Sequence, residues 1–206
     1  MMADFPLIGG VKMSESELHE FLKRVGMAYL FNHCFMVATE AAVYKDSGID
    51  RHDLDNHHFI DVAGVGKKYI PYTMDRKIGD PYYYNVSRGI EVKVSRNDFK
   101  NGFVCSGLNY HYLLTPMRLV NPSEIPKWVG LIEYNKYKFE AKFTKTFKFR
   151  LEGLRVVKKP KFRETRDFQT EYVISSIGGR LSQMLRRNLV ETLCQGSNNS
   201  KTEVEV

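Results

Sequence analysis

The chain has 206 residues, 43% of them hydrophobic, with 31 Lys and Arg against 24 Asp and Glu and a formal net charge of +7. This is the composition of an ordinary globular protein, and the length suits one domain, or one domain with an appendage, with room for a sizeable core. No apolar run approaches the roughly 20 residues of a membrane span, so no membrane contact is expected, while the cationic surplus favours a polyanionic partner and also serves solubility.

In chain order, Ser14 with Glu17 three residues later forms a capping box, and Leu18, Phe21, Leu22 and Val25 follow at helical spacing. The pattern predicts a helix over about 14–31 with one buried face and with Glu17 and Glu20 solvated. Residues 34–44 are too short and too bounded for a good helix, so a strand is expected with Glu40 as its single acid; Ala-Thr-Glu-Ala-Ala keeps a helix open. Residues 45–58 read as a polar connector. Its His52, His57 and His58, among Asp53 and Asp55, lack the second, distant ligand pair of a structural zinc site, which makes a solvated loop the expectation.

Asp61 stands inside Phe-Ile-Asp-Val-Ala-Gly-Val, a run otherwise almost wholly apolar, where a carboxylate is costly unless paired or bound to metal. Ile90, Val92 and Val94 then alternate with Glu91, Lys93 and Ser95, a strand that runs into the first turn of a helix. The midpoint between Asp61 and Glu91 is residue 76, among turn-forming Asp, Gly and Pro. A hairpin centred there sets the two acids opposite each other. Its arms mix Tyr69, Tyr72, Tyr82, Tyr83 and Tyr84 with Lys67, Lys68, Arg76, Lys77 and Arg88. Such arms suit a flap whose rings stack on bases while cations meet phosphates; Tyr-rich strands packed on their neighbours suit the pattern equally.

After Phe99 the stretch through Gly107 is interrupted by glycine, so the helix is expected to be stunted. Strands follow over 110–115, stopped by Pro116, and over 129–134. Residues 136–150 place Tyr137, Phe139, Ala141, Phe143, Phe147 and Phe149 on one face and mostly cations on the other, a half-buried strand or hairpin. Its basic face could meet a DNA backbone or be a solvated edge that resists aggregation. Residues 155–163 add positive charge. Residues 167–193 are expected to be helical with Ile174, Ile177, Leu181, Leu185 and Leu189 buried, and Gly178-Gly179 predicts a kink or close packing.

Two carboxylates, Asp61 and Glu91, with Lys93 beside one of them suit a hard divalent cation next to a scissile phosphate. Asp61 followed by Glu91-Val92-Lys93 resembles the PD-(D/E)XK nuclease superfamily. Residues 91–99, Glu-Val-Lys-Val-Ser-Arg-Asn-Asp-Phe, are similar to the signature of the MmcB-like DNA-repair endonucleases. That branch also has an upstream strand Glu, matched by Glu40, an aromatic strand ending in Pro, matched by 110–116, and a segment like Pro126-Lys127-Trp128-Val129-Gly130-Leu131; the likeness covers about 14–134.

The resemblance implies an α/β fold with a restriction-endonuclease-like core (helix, three strands, short helix, strand) and a mixed central sheet, extended by β structure and a C-terminal helix. It implies Mg2+ or Mn2+ held by Asp61, Glu91 and the Val92 carbonyl, with Glu40 serving the same or a second cation and Lys93 acting on the attacking water. Ser95, Arg96 and Asp98 would support the site or contact phosphate. The expectation is thus a metal-dependent DNA endonuclease in repair, recombination or phage DNA processing, with residues 1–195 as a single domain and 196–206 as a disordered tail. DNA is the expected partner, and self-association as a homodimer is left open. Cys34, Cys105 and Cys194 show no metal-like spacing. Together with an N-terminus that lacks a basic region feeding an apolar one, they make a reduced cytoplasm, bacterial or phage-infected, the expected location. Two other classes stay open, a non-catalytic DNA-binding module on the same fold and a structural or assembly protein.

Overall fold

The computed structural model describes residues 7–8, 11–44, 57–70 and 82–199. A short antiparallel pair, β1 (Leu7–Ile8) and β2 (Val11–Lys12), precedes α1 (Glu15–Phe31). The helix starts at the expected capping box: the Ser14 hydroxyl accepts from the Glu17 N–H at 3.3 Å and Glu17 accepts from the Ser14 N–H at 2.7 Å. Next come β3 (Met36–Tyr44), β4 (His57–Ile70) and β5 (Tyr82–Val92), an antiparallel meander. Residues 34–44 therefore supply a strand, and His57 and His58 open β4 instead of closing a loop.

The five-residue helix α2 (Arg96–Lys100) crosses to β6 (Tyr110–Pro116), which pairs parallel with β5, and β7 (Gly130–Tyr134) pairs parallel with β6. Gly107, with φ of +78°, lets this crossing press on the sheet, because a Cβ there would meet the Tyr44 carbonyl. The hairpin β8 (Glu140–Phe143) and β9 (Phe149–Glu152) forms a sheet of its own. β10 (Leu154–Lys158) returns to pair antiparallel with β7, giving a mixed six-stranded sheet in the order β10-β7-β6-β5-β4-β3.

Alternation along the strands splits the core between the two sheet faces. Val37, Val62 and Ile90 join Leu18, Leu22 and Val25 of α1, whereas Ala38, Ala63 and Ile60 join Val173 and Ile177 of α3 (Asp167–Asn199). Among the described residues no helix is long and apolar enough to cross a membrane.

Two expectations change. In α3, Ile177 is buried, but Leu181, Leu185 and Leu189 are 38%, 61% and 52% exposed, because the helix runs past the sheet that covers its first half. It continues to Asn199, which takes in the first residues of the expected tail; 200–206 lie outside the described residues. Open space surrounds Gly178 and Gly179, so no close packing occurs there. In the 136–150 stretch the strands are as expected, but most of the aromatic face is not buried. All of β8 is exposed, because the hairpin stands off the central sheet.

Candidate active site

The β4/β5 register runs unbroken from Ile70↔Tyr82 to Val62↔Ile90. These pairs share residue 76 as their midpoint, the expected turn itself lying outside the described residues, and the next step of the register sets Asp61 beside Glu91. On β3, Glu40 sits between the pairs Thr39↔Val62 and Ala41↔Ile60, level with Asp61. Three acids therefore line up across three neighbouring strands. Glu40 has a φ of +52°, a left-handed conformation that costs a non-glycine residue on the order of 1–3 kcal/mol and concentrates at functional sites.

Each acid has different company. Asp61 accepts from the Val92 N–H at 2.8 Å, and from α1 it meets His19 Nε2 at 3.5 Å and Lys23 Nζ at 3.7 Å. Burial opposes its ionisation, but His19, the Val92 N–H and Lys23 outweigh burial and hold the carboxyl below its ordinary value. The bond to Asp61 in turn raises the His19 pKa against the effect of burial.

Lys23, 6% exposed, places its ammonium 2.9 Å from Glu20 and 3.2 Å from Glu40. Burial pulls its pKa down, but the hydrogen bonds to the two glutamates and the charge of Asp61 prevail and hold it above the ordinary value. Arg180 of α3 also reaches Glu40, Nη2 to carboxylate at 3.9 Å and Nε donating to its main-chain carbonyl at 3.1 Å.

Glu91 is less well compensated. Its side chain is 13% exposed, Lys93 Nζ is 4.0 Å from Oε1, and Oε2 is buried with no hydrogen-bond partner. Burial first, and the neighbouring charge of Asp61 second, push its carboxyl up to about 7. Lys93, the residue after β5, donates to Asp98 at 3.1 Å. Asp98 also accepts from the Val94 N–H at 3.2 Å and donates its own N–H to the Ser95 hydroxyl, the N-cap of α2. Thus Ser95 starts the short helix whose first turn holds Lys93 in place. An open cleft of about 500 Å³ adjoins the site through His19, Glu20 and Asp98, walled also by Ser95 and Asn97, with Asp61, Glu91 and Lys93 outside its lining.

Among the described residues no three of His, Cys, Asp and Glu gather into a metal cage. The pair Asp61 and Glu91 nonetheless offers hard oxygen donors, one of them the orphaned Glu91 Oε2, which fits a cation that keeps several waters, as magnesium does.

The residues expected at DNA are spread wider. Arg96 forks onto Glu124 at 2.7 and 3.0 Å and donates to the Leu119 carbonyl at 3.0 Å. Arg88 is half-buried over the Tyr110 ring at 5.3 Å. Lys67 is exposed, and Lys68 lies 4.4 Å over the Phe162 ring. Tyr82 belongs to the outermost pair of the β4/β5 ladder. Arg76, Lys77, Tyr72, His52, Asp53 and Asp55 lie outside the described residues.

His19 and Lys23 are the site residues that sequence reasoning missed. Their signal was a spacing of four, one helical turn, with Lys23 among the apolar positions Leu22 and Val25 and not on the solvated face.

No family model matches the chain, and no curated protein matches it. Among solved structures it is similar to a protein of unknown function from Silicibacter pomeroyi, at 18% identity over 78% of this chain and 84% of that one, with a TM-score of 0.45.

Proposed function

We propose that the protein is a metal-dependent endonuclease that hydrolyses DNA phosphodiester bonds, in repair, recombination or phage DNA processing. The observation that carries this reading is the buried Glu91 carboxylate beside Asp61, its Oε2 without a hydrogen-bond partner and its Oε1 4.0 Å from the ammonium of Lys93, just past the end of β5. A buried charge without a partner is costly, and a cation bound by both acids would remove the cost. The order helix, three strands, short helix, strand, seen in α1, β3 to β5, α2 and β6, supports a restriction-endonuclease-like core.

In this reading Asp61, Glu91 and the Val92 carbonyl hold magnesium or manganese. Such an ion supplies Lewis acidity at the phosphoryl oxygens and brings the pKa of a water toward neutrality. His19 and Lys23 keep Asp61 ionised. Lys93, steadied by Asp98, points its ammonium at the attacking water or the phosphate, and Lys67, Lys68 and Arg88 with the outer β4/β5 arms follow the DNA.

A second reading, a non-catalytic DNA-binding module on the same fold, is favoured by Lys23, whose ammonium already answers Asp61, Glu40 and Glu20. A gel assay separates the two. With plasmid, linear, single-stranded and branched DNA, cleavage is expected in magnesium or manganese and not in EDTA, and it should be abolished in folded Glu91→Gln and Lys93→Ala. DNA retention without cleavage under every condition would establish the second reading, and undiminished cleavage by either variant would end the first.

A further inference from the structure

Alternation along residues 136–150 calls for a buried aromatic face, yet Tyr137, Phe143 and Phe147 are 80%, 61% and 83% exposed. The hairpin is anchored by other means. Phe139 packs edge-on against Phe21 and tilted against Tyr134, and the Asn32 side chain bonds the Phe149 main chain in both directions at 2.8 Å. Outside these anchors, ring contacts run from Phe31 to Phe149 (6.4 Å), Phe149 to Phe143 (5.0 Å) and Phe143 to Phe147 (6.1 Å), a continuous shelf of rings open to solvent.

The turn that presents the shelf is fixed. The Thr144 hydroxyl donates to the Lys148 carbonyl at 2.9 Å, the Phe147 N–H donates to the Thr144 carbonyl at 3.0 Å, and Phe147 takes a φ of +57°. A large ring is a poor choice at a left-handed position that favours Gly or Asn, and a contiguous exposed run of rings, here Phe31, Phe143 and Phe147 joined through Phe149, marks an interaction surface.

The charge identifies the occupant. Residues 136–152 carry six cations and two acids, and both acids are matched on their own strands, Glu140 by Lys142 at 2.7 Å and Glu152 by Arg150 at 2.9 Å. Rings interleaved with surplus cations suit a polyanion that also offers flat apolar faces. Stacking on a side-chain ring needs an unpaired base, whereas a duplex offers only its backbone and edges. A bilayer fits less well, because the tip is Thr144, Lys145 and Thr146 and the rings lie behind it, so insertion would lead with a charge.

We propose that the β8–β9 hairpin binds single-stranded nucleic acid, with unpaired bases stacked on Phe143 and Phe147 and with Lys145 and Lys148 meeting the phosphates. Asn32, which ties the hairpin down, lies nine residues beyond Lys23 along α1, roughly 13 Å at the rise of a helix, so one strand could engage both the hairpin and the acidic row.

The test is fluorescence anisotropy of a labelled 20-mer oligothymidine and of a duplex of equal length, in EDTA, with the full chain carrying Glu91→Gln so that no cleavage intervenes. Adding Phe143→Ala and Phe147→Ala is expected to weaken single-strand binding by about tenfold or more while duplex binding changes by less than about twofold. Lys145→Ala with Lys148→Ala should weaken both and flatten the salt dependence. Phe147→Leu alone, at a position too exposed to matter for folding, should reproduce part of the single-strand loss and carries the test if the double variant unfolds. Unchanged single-strand affinity in the ring variants, equal losses on both DNAs, or ring-dependent binding to phosphatidylserine vesicles with no effect on oligothymidine would each overturn the proposal. Those results leave Glu91-dependent cleavage untouched, and absence of cleavage leaves them untouched in turn.

Discussion

Glu91 concentrates the electrostatic conflict of the site in one carboxyl, raised by burial and by Asp61 from about 4.5 to about 7. Between those values the folded chain holds a proton that the unfolded chain has released, so the Glu91 contribution to stability falls as pH rises from about 4.5 and levels off above about 7, while His19, raised by Asp61, adds a loss of the same sign at higher pH. Without added metal, urea unfolding should show a loss across this window on the order of 3 kcal/mol, and Glu91→Gln should remove that dependence. The same slope in the variant would place the titration elsewhere. Asp61, Glu91 and Lys93 were legible in the sequence because acids in apolar or strictly alternating runs are conspicuous. Lys23 and His19 were not, because their role arises only when α1 is laid across β4 and β3, a tertiary placement that helical periodicity does not encode.

At the scale of elements, local signals with a defined geometry were legible. The capping box fixed the start of α1, and the observed β4/β5 pairs share the midpoint that the spacing of Asp61 and Glu91 pointed to. Periodicity, by contrast, shows which residues share a face and not whether anything covers it, which is why β8–β9 and the second half of α3 were misjudged. The segment after β10 braces β5 and β6 in a way that periodicity does not reveal: Tyr84 and Tyr110 meet the Phe162 ring at 6.3 and 5.5 Å. Replacing residues 69–83 with a short glycine-containing turn should leave the fold and metal binding intact and weaken duplex affinity at least about fivefold through lost phosphate contacts. An unfolded product would make the arm part of the core, and unchanged affinity in an anisotropy titration would leave it a plain connection. For α3, residues 181–191 are exposed throughout, so ending the chain after Leu185 should change stability by no more than about 0.5 kcal/mol. A larger, concentration-dependent loss in denaturant titrations would show that a second copy covers this face.

The whole molecule brings its chemistry to one end of a mixed sheet. Helix α1 delivers His19 and Lys23 to one side of the acidic row, α2 delivers Asp98 to the other, and α3 reaches Glu40 through Arg180. Lys23 occupies the space among Asp61, Glu40 and Glu20, which leaves Glu91 Oε2 as the unpartnered buried carboxylate oxygen of the row. On the proposed metal-dependent reading, that arrangement would hold one divalent cation per chain. The most direct measurement is Mn2+ binding by electron paramagnetic resonance, at pH 8 where Glu91 is ionised, on the wild-type chain and on Glu91→Gln shown by circular dichroism to be folded. One bound ion per wild-type chain, with affinity reduced about tenfold or more in the variant, is the predicted result. Equal Mn2+ binding by the two proteins, or none by the wild type, would contradict a metal centre built on Asp61 and Glu91.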